Sequence, residues 1–439
     1  MSEGRIIVGI DVGTYKVASV IAKITEGVIS VLGASEVKSL GINKGQVVDI
    51  IKAVGAINTS LEAAERMAGY SASHVFVSLG GSQIECQNSR GVVAVSTPEG
   101  EINSSDLSRV IDAAKAVSLP STREIIHVLP RSFVVDGQDG IKDPIGMSGT
   151  RLEVDTHIVT ANSVSIRNLE RAFSEVGVDV DSFAFSGYAS SLSVLSDTER
   201  ELGVVLVDIG AGTTDIAIYV EGSVAYSSVL AIGAKHVTND LAIGLRLSIE
   251  SAEKIKLYLS QDPGRRVLKS VELESDESES GEASPVAPRN VDEVDLSSLN
   301  LSEDIRKVSQ KTLIDGIIKP RLNEICAMIG LEIKKSGFGG QTPAGIVLTG
   351  GGALTVGIKE AARRTLAMPV RIGLPTNVKG IIDEVQHPGF STAIGLIEYG
   401  MTNTIAKSSS FRFSLPAGTG FIVSKYFKKI VNLFKSFIP

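Results

Sequence analysis

One short pattern occurs twice in this chain. Arg5 to Lys23 reads RIIVGIDVGTYKVASVIAK, and Gly203 to Val220 reads GVVLVDIGAGTTDIAIYV. Each copy is an apolar β-branched run, an aspartate, a glycine-containing turn with threonine, and a second β-branched run, which reads as a strand–turn–strand hairpin. Asp11 and Asp208 stand where the first strands end, about 197 residues apart, the spacing of a duplicated domain. In each copy a third strand follows (GVISVLGASEV and SVAYSSVLAIG), then a helical segment near 45–68 and 234–245. The pattern predicts an α/β chain built from two related units.

The glycines suit a particular chemistry. Without a Cβ the backbone reaches positive φ and lets amide N–H groups approach an anion. Two such hairpins facing each other can cradle phosphates, with Asp11 and Asp208 holding Mg²⁺ mostly through waters, because Mg²⁺ prefers oxygen ligands and dehydrates reluctantly. One such turn alone is more often an ordinary hairpin; two in register are far more specific. A third glycine turn, AGIVLTGGGALTVGIKEAARRTL (Ala344 to Leu366), runs a β-branched strand into Gly350, Gly351 and Gly352 and then a helix. That arrangement brings backbone amides and a helix N-terminus towards a nucleotide. In ESAEKIKLY, Glu253 and Lys256 share one helix face; by themselves they are a solvated charge pair.

Composition narrows the function classes. A length of 439 residues allows two or more cores. Two cysteines, Cys86 and Cys326, without a C-x-x-C pair suggest neither a disulfide framework nor a thiolate zinc site. The histidines His74, His127, His157, His236 and His387 have no ligand spacing and read as structural. MSEGRIIVGID lacks a signal-peptide pattern and no window of about 18 residues is uncharged and apolar, so neither export nor a membrane span is expected. Residues 270–304 hold eleven acids against one arginine and read mostly as a mobile solvated loop. With net charge −7 and no basic stripe interleaved with aromatics, nucleic acid is not an expected partner.

The C-terminus reverses the charge balance. Residues 401–439 carry six basic residues and no acid. Residues 401–420 are rich in Ser, Thr and Gly and suit a flexible linker. Beyond it, at 100° per residue, Ile422, Val423, Tyr426, Phe427, Ile430, Val431, Leu433, Phe434, Phe437 and Ile438 fall on one half of a helical wheel. Lys425, Lys428, Lys429 and Lys435 fall on the other half. Such a helix, over 421–439, is expected to lie in a membrane interface with its lysines towards anionic headgroups. The competing reading docks it on the protein's own core.

The order DVGTYKV, DIGAGTTD, SAEKIK, LTGGGA resembles the actin, sugar kinase and heat-shock chaperone ATPase superfamily. Within it, HVFVSLGGSQIECQNSRGVVAV, REIIHVLPRSFVVDG, GIKDPIGMSGTRLEVDTHIVTA, DGIIKPRLNEI and HPGFSTAIGLIEYG are similar to the FtsA family of bacterial cell-division proteins. The resemblance implies an actin-like two-lobed α/β ATPase fold of duplicated ribonuclease H-like domains. The first lobe would occupy 1–82 and 162–202, an inserted α+β subdomain 83–161, and the second lobe 203–400. The insert itself reads as short strands around one helix, Ser105 to Ala116, capped by Ser104 or Ser105 and Asp106.

Residue by residue, Asp11, Gly13, Thr14 and Lys16 match the family's first phosphate loop, and Asp208, Gly210, Gly212, Thr213, Thr214 and Asp215 the second. Glu253 and Lys256 match positions touching ribose and adenine, and Gly350, Gly351 and Gly352 the adenosine loop. Ala211 departs from the pattern, since many relatives carry a third glycine there. The implied cofactors are ATP and Mg²⁺. No residue outside the glycine turns identifies a base for hydrolysis, so at most a weak ATPase is expected, not a metabolic enzyme. The implied partners are the C-terminal peptide of FtsZ, bound at or near Arg321, further copies of the chain in a filament, later division proteins, and anionic lipids on the cytoplasmic face of the membrane at the division site. A PilM-like pilus scaffold and a small-molecule kinase of the same superfamily are the alternatives; a chaperone-like ATPase would need a peptide-binding β-domain after the second lobe.

Overall fold

The computed structural model describes residues 4–96, 100–261, 292–380 and 385–409. The expected interfacial helix, the rest of the expected linker, and residues 270–291 of the acidic loop lie outside them.

The first lobe begins with β1 (Arg5–Val12), β2 (Lys16–Thr25) and β3 (Val28–Lys38), followed by a short hairpin, β4 (Ile42–Asn43) with β5 (Gln46–Val47), then α1 (Ile50–Ala68) and β6 (His74–Leu79). That hairpin delays α1 relative to the expected start near residue 45, and Asp49 caps the helix by accepting from the Lys52 N–H. The insert follows as β7 (Glu85–Ala94), α2 (Ser104–Lys115), β8 (Arg123–Val135), β9 (Gln138–Ile141) and β10 (Arg151–Asn162). The chain then returns through α3 (Ser163–Val176), β11 (Asp179–Phe185), α4 (Ser186–Val194) and α5 (Asp197–Leu202).

The second lobe holds β12 (Val204–Ile209), β13 (Thr214–Val220), β14 (Ser223–Leu230), α6 (Lys235–Leu245), α7 (Ile249–Ser260), β15 (Glu293–Asp295) and β16 (Lys307–Ser309). It continues through α8 (Lys319–Ser336), β17 (Ile346–Thr349), α9 (Ile358–Leu366), β18 (Val370–Ile372), β19 (Val378–Gly380) and α10 (Ser391–Ser409).

The two large sheets repeat one topology. Their orders are β11-β6-β1-β2-β3, with β19 added at the edge, and β14-β13-β12-β17-β18. Each joins an antiparallel three-strand meander to two parallel strands reached by crossovers, and the repeat holds to single residues. Asp11 pairs with Ala18 across the first hairpin, and Asp208 pairs with Asp215 at the matching rung of the second. Ile10, Ile21, Ile57, Phe173 and Phe185 fill the first core; Val207, Ile218, Leu241, Ile325 and Leu348 fill the second. Full burial of each such side chain contributes about 1.5–3 kcal/mol.

The insert is a four-stranded sheet, β7-β10-β8-β9, with α2 packed on one face through Ile102, Val110, Phe133, Leu152 and Val154. Its strands are longer than expected, up to 13 residues. Its helix starts one residue earlier, because Asn103 is the N-cap and forms a reciprocal capping box with Asp106. The sheet is sewn to β14 of the second lobe. The Cys86 thiol donates to Ser227 O (2.7 Å) and Asn88 Nδ2 donates to Ala225 O (3.2 Å). His157 bridges Asn88 Oδ1 (2.7 Å) and Ser227 Oγ (2.8 Å). Burial, aided by Arg131, lowers the His157 pKa to about 4, so the ring is neutral near pH 7.

Two expectations change here. The end of the acidic segment is ordered: β15 pairs with β16, and Leu296 between them is buried, since an apolar V-x-L pattern within the acids can reach the second core. The expected linker from 401 starts as helix, because α10 continues to Ser409.

Gly55, inside α1, has open space where a Cβ would sit. Gly55→Ala should therefore stabilise the protein by about 0.5–1 kcal/mol, seen as a small rise in melting temperature; a fall would show that the position is crowded.

Candidate nucleotide site

The two hairpin turns meet. In the first, the Gly13 N–H donates to Lys16 O (3.0 Å), and Thr14 Oγ1 accepts from the Gly45 N–H (3.2 Å). In the second, the Gly210 N–H donates to Thr213 O (2.9 Å), while the carbonyls of Gly210 and Ala211 accept from Ala234 and Lys235 at the start of α6. A Cβ on Gly212 would stand 2.9 Å from Thr14 Oγ1, so the turns approach as closely as glycine allows.

Three carboxyl groups gather behind these turns. Asp11 Oδ1 accepts from the Ser78 hydroxyl (2.7 Å), which itself accepts from the Val12 N–H (2.9 Å). Asp208 Oδ2 accepts from Thr392 Oγ1 (3.0 Å), and Asp215 Oδ1 is buried with no hydrogen-bond partner among the described residues. Burial raises the Asp11 pKa. It pushes Asp208 up to about 6, with the Asp11 charge adding to the effect. Asp215 is raised well above the usual carboxylate range by burial, then by Asp208 and Asp11. Like charges in a dry site oppose ionisation unless a cation offsets them.

The third glycine turn completes the wall. Gly350 has φ +81°, and a Cβ there would overlap Asp208 Oδ1 and lie 2.6 Å from Ile209 O. Gly351 faces open space, and a 3-10 turn at Gly351–Leu354 precedes α9. Among the described residues no three carboxylate, histidine or cysteine side chains converge as a ready-made metal site, so a divalent cation here would need phosphate and water oxygens as further ligands, which suits the glycine cradle and the way Mg²⁺ keeps its waters. Asp11 and Asp208 would hold it, and it would neutralise phosphate charge.

Other expected site residues are committed within the chain. Lys16 pairs with Glu36 and sits 4.4 Å from the centroid of the Phe390 ring. The Thr214 hydroxyl donates to Ile232 O (2.8 Å). Lys256 donates to Glu253 Oε2 (2.8 Å) and to Thr238 Oγ1 (3.0 Å), and Thr238 donates to the same carboxylate (2.5 Å). Glu253 in this knot stays partly exposed, and its charge, after burial, helps raise the Tyr15 phenol. Arg321, on α8, forks onto Asp240 of α6 at 2.6 and 2.9 Å and also pairs with Glu324, so it ties two helices together. Ser78 and Thr392 were not legible as site residues. Thr392 stands in HPGFSTAIG, a segment with no glycine-turn signature of its own.

The family described as "SHS2 domain inserted in FTSA" matches residues 81–160, and "Cell division protein FtsA" matches 205–395. The chain is 37% identical over 402 residues to the cell division protein FtsA of Pseudomonas aeruginosa, covering 91% of this chain and 90% of that one. It is 40% identical over 397 residues to FtsA of Borreliella burgdorferi, covering 90% and 91%. The chain belongs to the FtsA family of cell division proteins.

Solved structures agree on the fold. The "PilM-PilN type IV pilus biogenesis complex" superposes with a TM-score of 0.58 at 14% identity, over 90% of this chain and 98% of that chain. MreB 5 of Spiroplasma citri bound to AMPPNP gives 0.51 at 14% identity, over 92% and 99%. At such identities the likeness establishes the actin-like ATPase architecture alone. Among the described residues no helix is long and apolar enough to cross a membrane.

Proposed function

We propose that this FtsA-family chain binds ATP with Mg²⁺ between its two hairpins, assembles with copies of itself, and anchors FtsZ filaments to the cytoplasmic face of the membrane at the division site. The observation that carries this reading is the residue-for-residue repeat that brings Asp11, Asp208 and the glycine turns together. On this reading Arg321 and its surroundings receive the FtsZ C-terminal peptide, the insert recruits later division proteins, and turnover of ATP is weak at most. The acid-free C-terminus supplies the interfacial helix for anionic lipids, and polymerisation multiplies its weak individual affinity.

Reconstitution tests the whole. The protein should carry FtsZ filaments to anionic liposomes only with ATP and with residues 421–439 present; ATP-independent recruitment would remove the nucleotide from the scheme. Phe427→Glu together with Phe434→Glu should reduce sedimentation with anionic liposomes by at least about ten-fold, because two charges would enter the apolar face. Retained binding would refute the anchor.

A further inference from the structure

Lys16 closes the first hairpin turn and opens β2. On β3 it stands directly opposite Lys38, while Glu36 is its diagonal neighbour, paired with Ala18. Like charges directly opposite repel and a diagonal carboxylate is within reach of a long side chain. Lys16 Nζ accordingly donates to Glu36 Oε2, and Lys38 pairs with Glu250 at 3.5 Å. Among the described residues Glu36 is the one hydrogen-bond acceptor of the Lys16 ammonium.

The turn before α10 packs against the same ammonium. The Phe390 ring lies under it, and a Cβ on Gly389 would stand 2.9 Å from Nζ. That turn is also part of the nucleotide wall, since Pro388 O accepts from the Gly350 N–H (3.2 Å) and Thr392, just beyond it, holds Asp208. Burial raises Asp11 and Asp208, and the Lys16 charge opposes the rise at both. The ammonium is thus within electrostatic reach of the two aspartates expected to hold the cation, yet its hydrogen bond goes to Glu36. The two partners differ in exposure: the Lys16 side chain is 17% exposed and that of Glu36 53%.

We propose that Glu36 is a built-in competitor for the phosphates, holding Lys16 in a resting pair from which a nucleoside polyphosphate must take the ammonium on binding. This inference rests on the nucleotide reading above and adds a regulation of that site. An ion pair with one half-exposed partner is weak, and a phosphate oxygen is a strong charge-assisted acceptor, so the exchange runs towards the phosphate. Glu36, already in contact with water, is rehydrated when the lysine leaves it. Affinity for polyphosphates is therefore held below what a free lysine would give, and salt, which screens the pair, weakens the brake.

The test is titration of the full chain with a fluorescent ATP analogue and Mg²⁺, with ATP and adenosine as competitors. Glu36→Gln keeps the shape of the side chain and removes its charge. It should tighten ATP about three- to five-fold at low ionic strength, with most of that gain gone at about 0.5 M salt. Adenosine, which has no phosphate to meet Lys16, should bind as before. Glu250→Gln removes the same charge from the neighbouring Lys38 pair and should leave ATP binding unchanged, and in a Lys16→Gln background Glu36→Gln should give no gain. Unchanged or weaker ATP binding in Glu36→Gln overturns the proposal, because it makes Glu36 a support of Lys16 or a bystander. An equal gain for adenosine, from Glu250→Gln, or without Lys16 overturns it as well. If Lys16→Gln binds too weakly to titrate, the adenosine and Glu250 comparisons decide. Absence of nucleotide binding in the unsubstituted protein would instead sink the nucleotide reading itself, and this inference with it.

Discussion

Asp208→Asn should make the metal-free protein more heat-stable near pH 7 while weakening Mg²⁺-dependent nucleotide binding by at least about 30-fold. Both effects come from one cause. Asp208 is buried beside Asp11 and Asp215, and its carboxyl is pushed up to about 6 from an ordinary 3.8. At about 1.4 kcal/mol per unit, ionised Asp208 costs the folded state about 3 kcal/mol without a cation. Asparagine keeps an acceptor for Thr392 and removes the charge, so a rise of about 2–4 °C is expected in EDTA. It also removes a charge-assisted contact to the cation, and such contacts are worth about 1.5–3 kcal/mol each.

The sign of the pH dependence follows. A carboxyl whose folded pKa is raised destabilises the folded state in full above about pH 6, and this penalty fades as pH falls towards 3.8. The advantage of the asparagine variant should therefore be largest near pH 7 and nearly gone by about pH 4. Melting curves across that range, with fluorescent-nucleotide titration at pH 7, check both halves. A variant less stable than wild type at pH 7 would mean that Asp208 is not strained by its neighbours.

Gly395→Ala should be the more damaging change to the fold, at about 3 kcal/mol or more, from one added methyl group. Gly395 lies on α10 where it crosses α4, and its Cβ would overlap Ala189 O and the Ala189 carbonyl carbon and stand 3.2 Å from Ser190 N. All three atoms are backbone, so no rotamer change relieves the clash; the helices must separate, and overpacking of that kind usually costs about 1–3 kcal/mol and sometimes more. The crossing is otherwise lined by small groups: Ser190, Ser191 and Ser193 are fully buried, and the Ser193 hydroxyl donates to Ser391 O (2.7 Å). Because α10 begins with Ser391 and Thr392, displacing it also moves the hydroxyl that holds Asp208. The expected result is a melting temperature lower by about 5 °C together with weaker nucleotide binding. An unchanged melting temperature would show that the helices sit farther apart.

The nucleotide hairpins were legible because their signal is local. A β-branched run ending in aspartate and glycine declares a strand and its turn within ten residues, and a second copy supplies the register of the first. The same locality explains the misreadings. The cap of α2 is one residue upstream of the serines that looked like caps, because Asn103 reaches its own box partner at Asp106. Leu296 orders part of a segment whose average composition is that of a solvated loop, because a single apolar side chain can find a core that composition does not describe.

The sequence alone therefore determined the duplicated α/β architecture, the glycine turns and the aspartates that end their first strands, since each follows from short-range periodicity and backbone permissiveness. Tertiary structure alone decided which hydroxyls hold those aspartates and where the insert is sewn to the second lobe. Ser78 and Asp11 are 67 residues apart, His157 and Ser227 are 70 apart, and Thr392 and Asp208 are 184 apart. Contacts of that range are set by how sheets and helices stack, and no local pattern of residues carries that information.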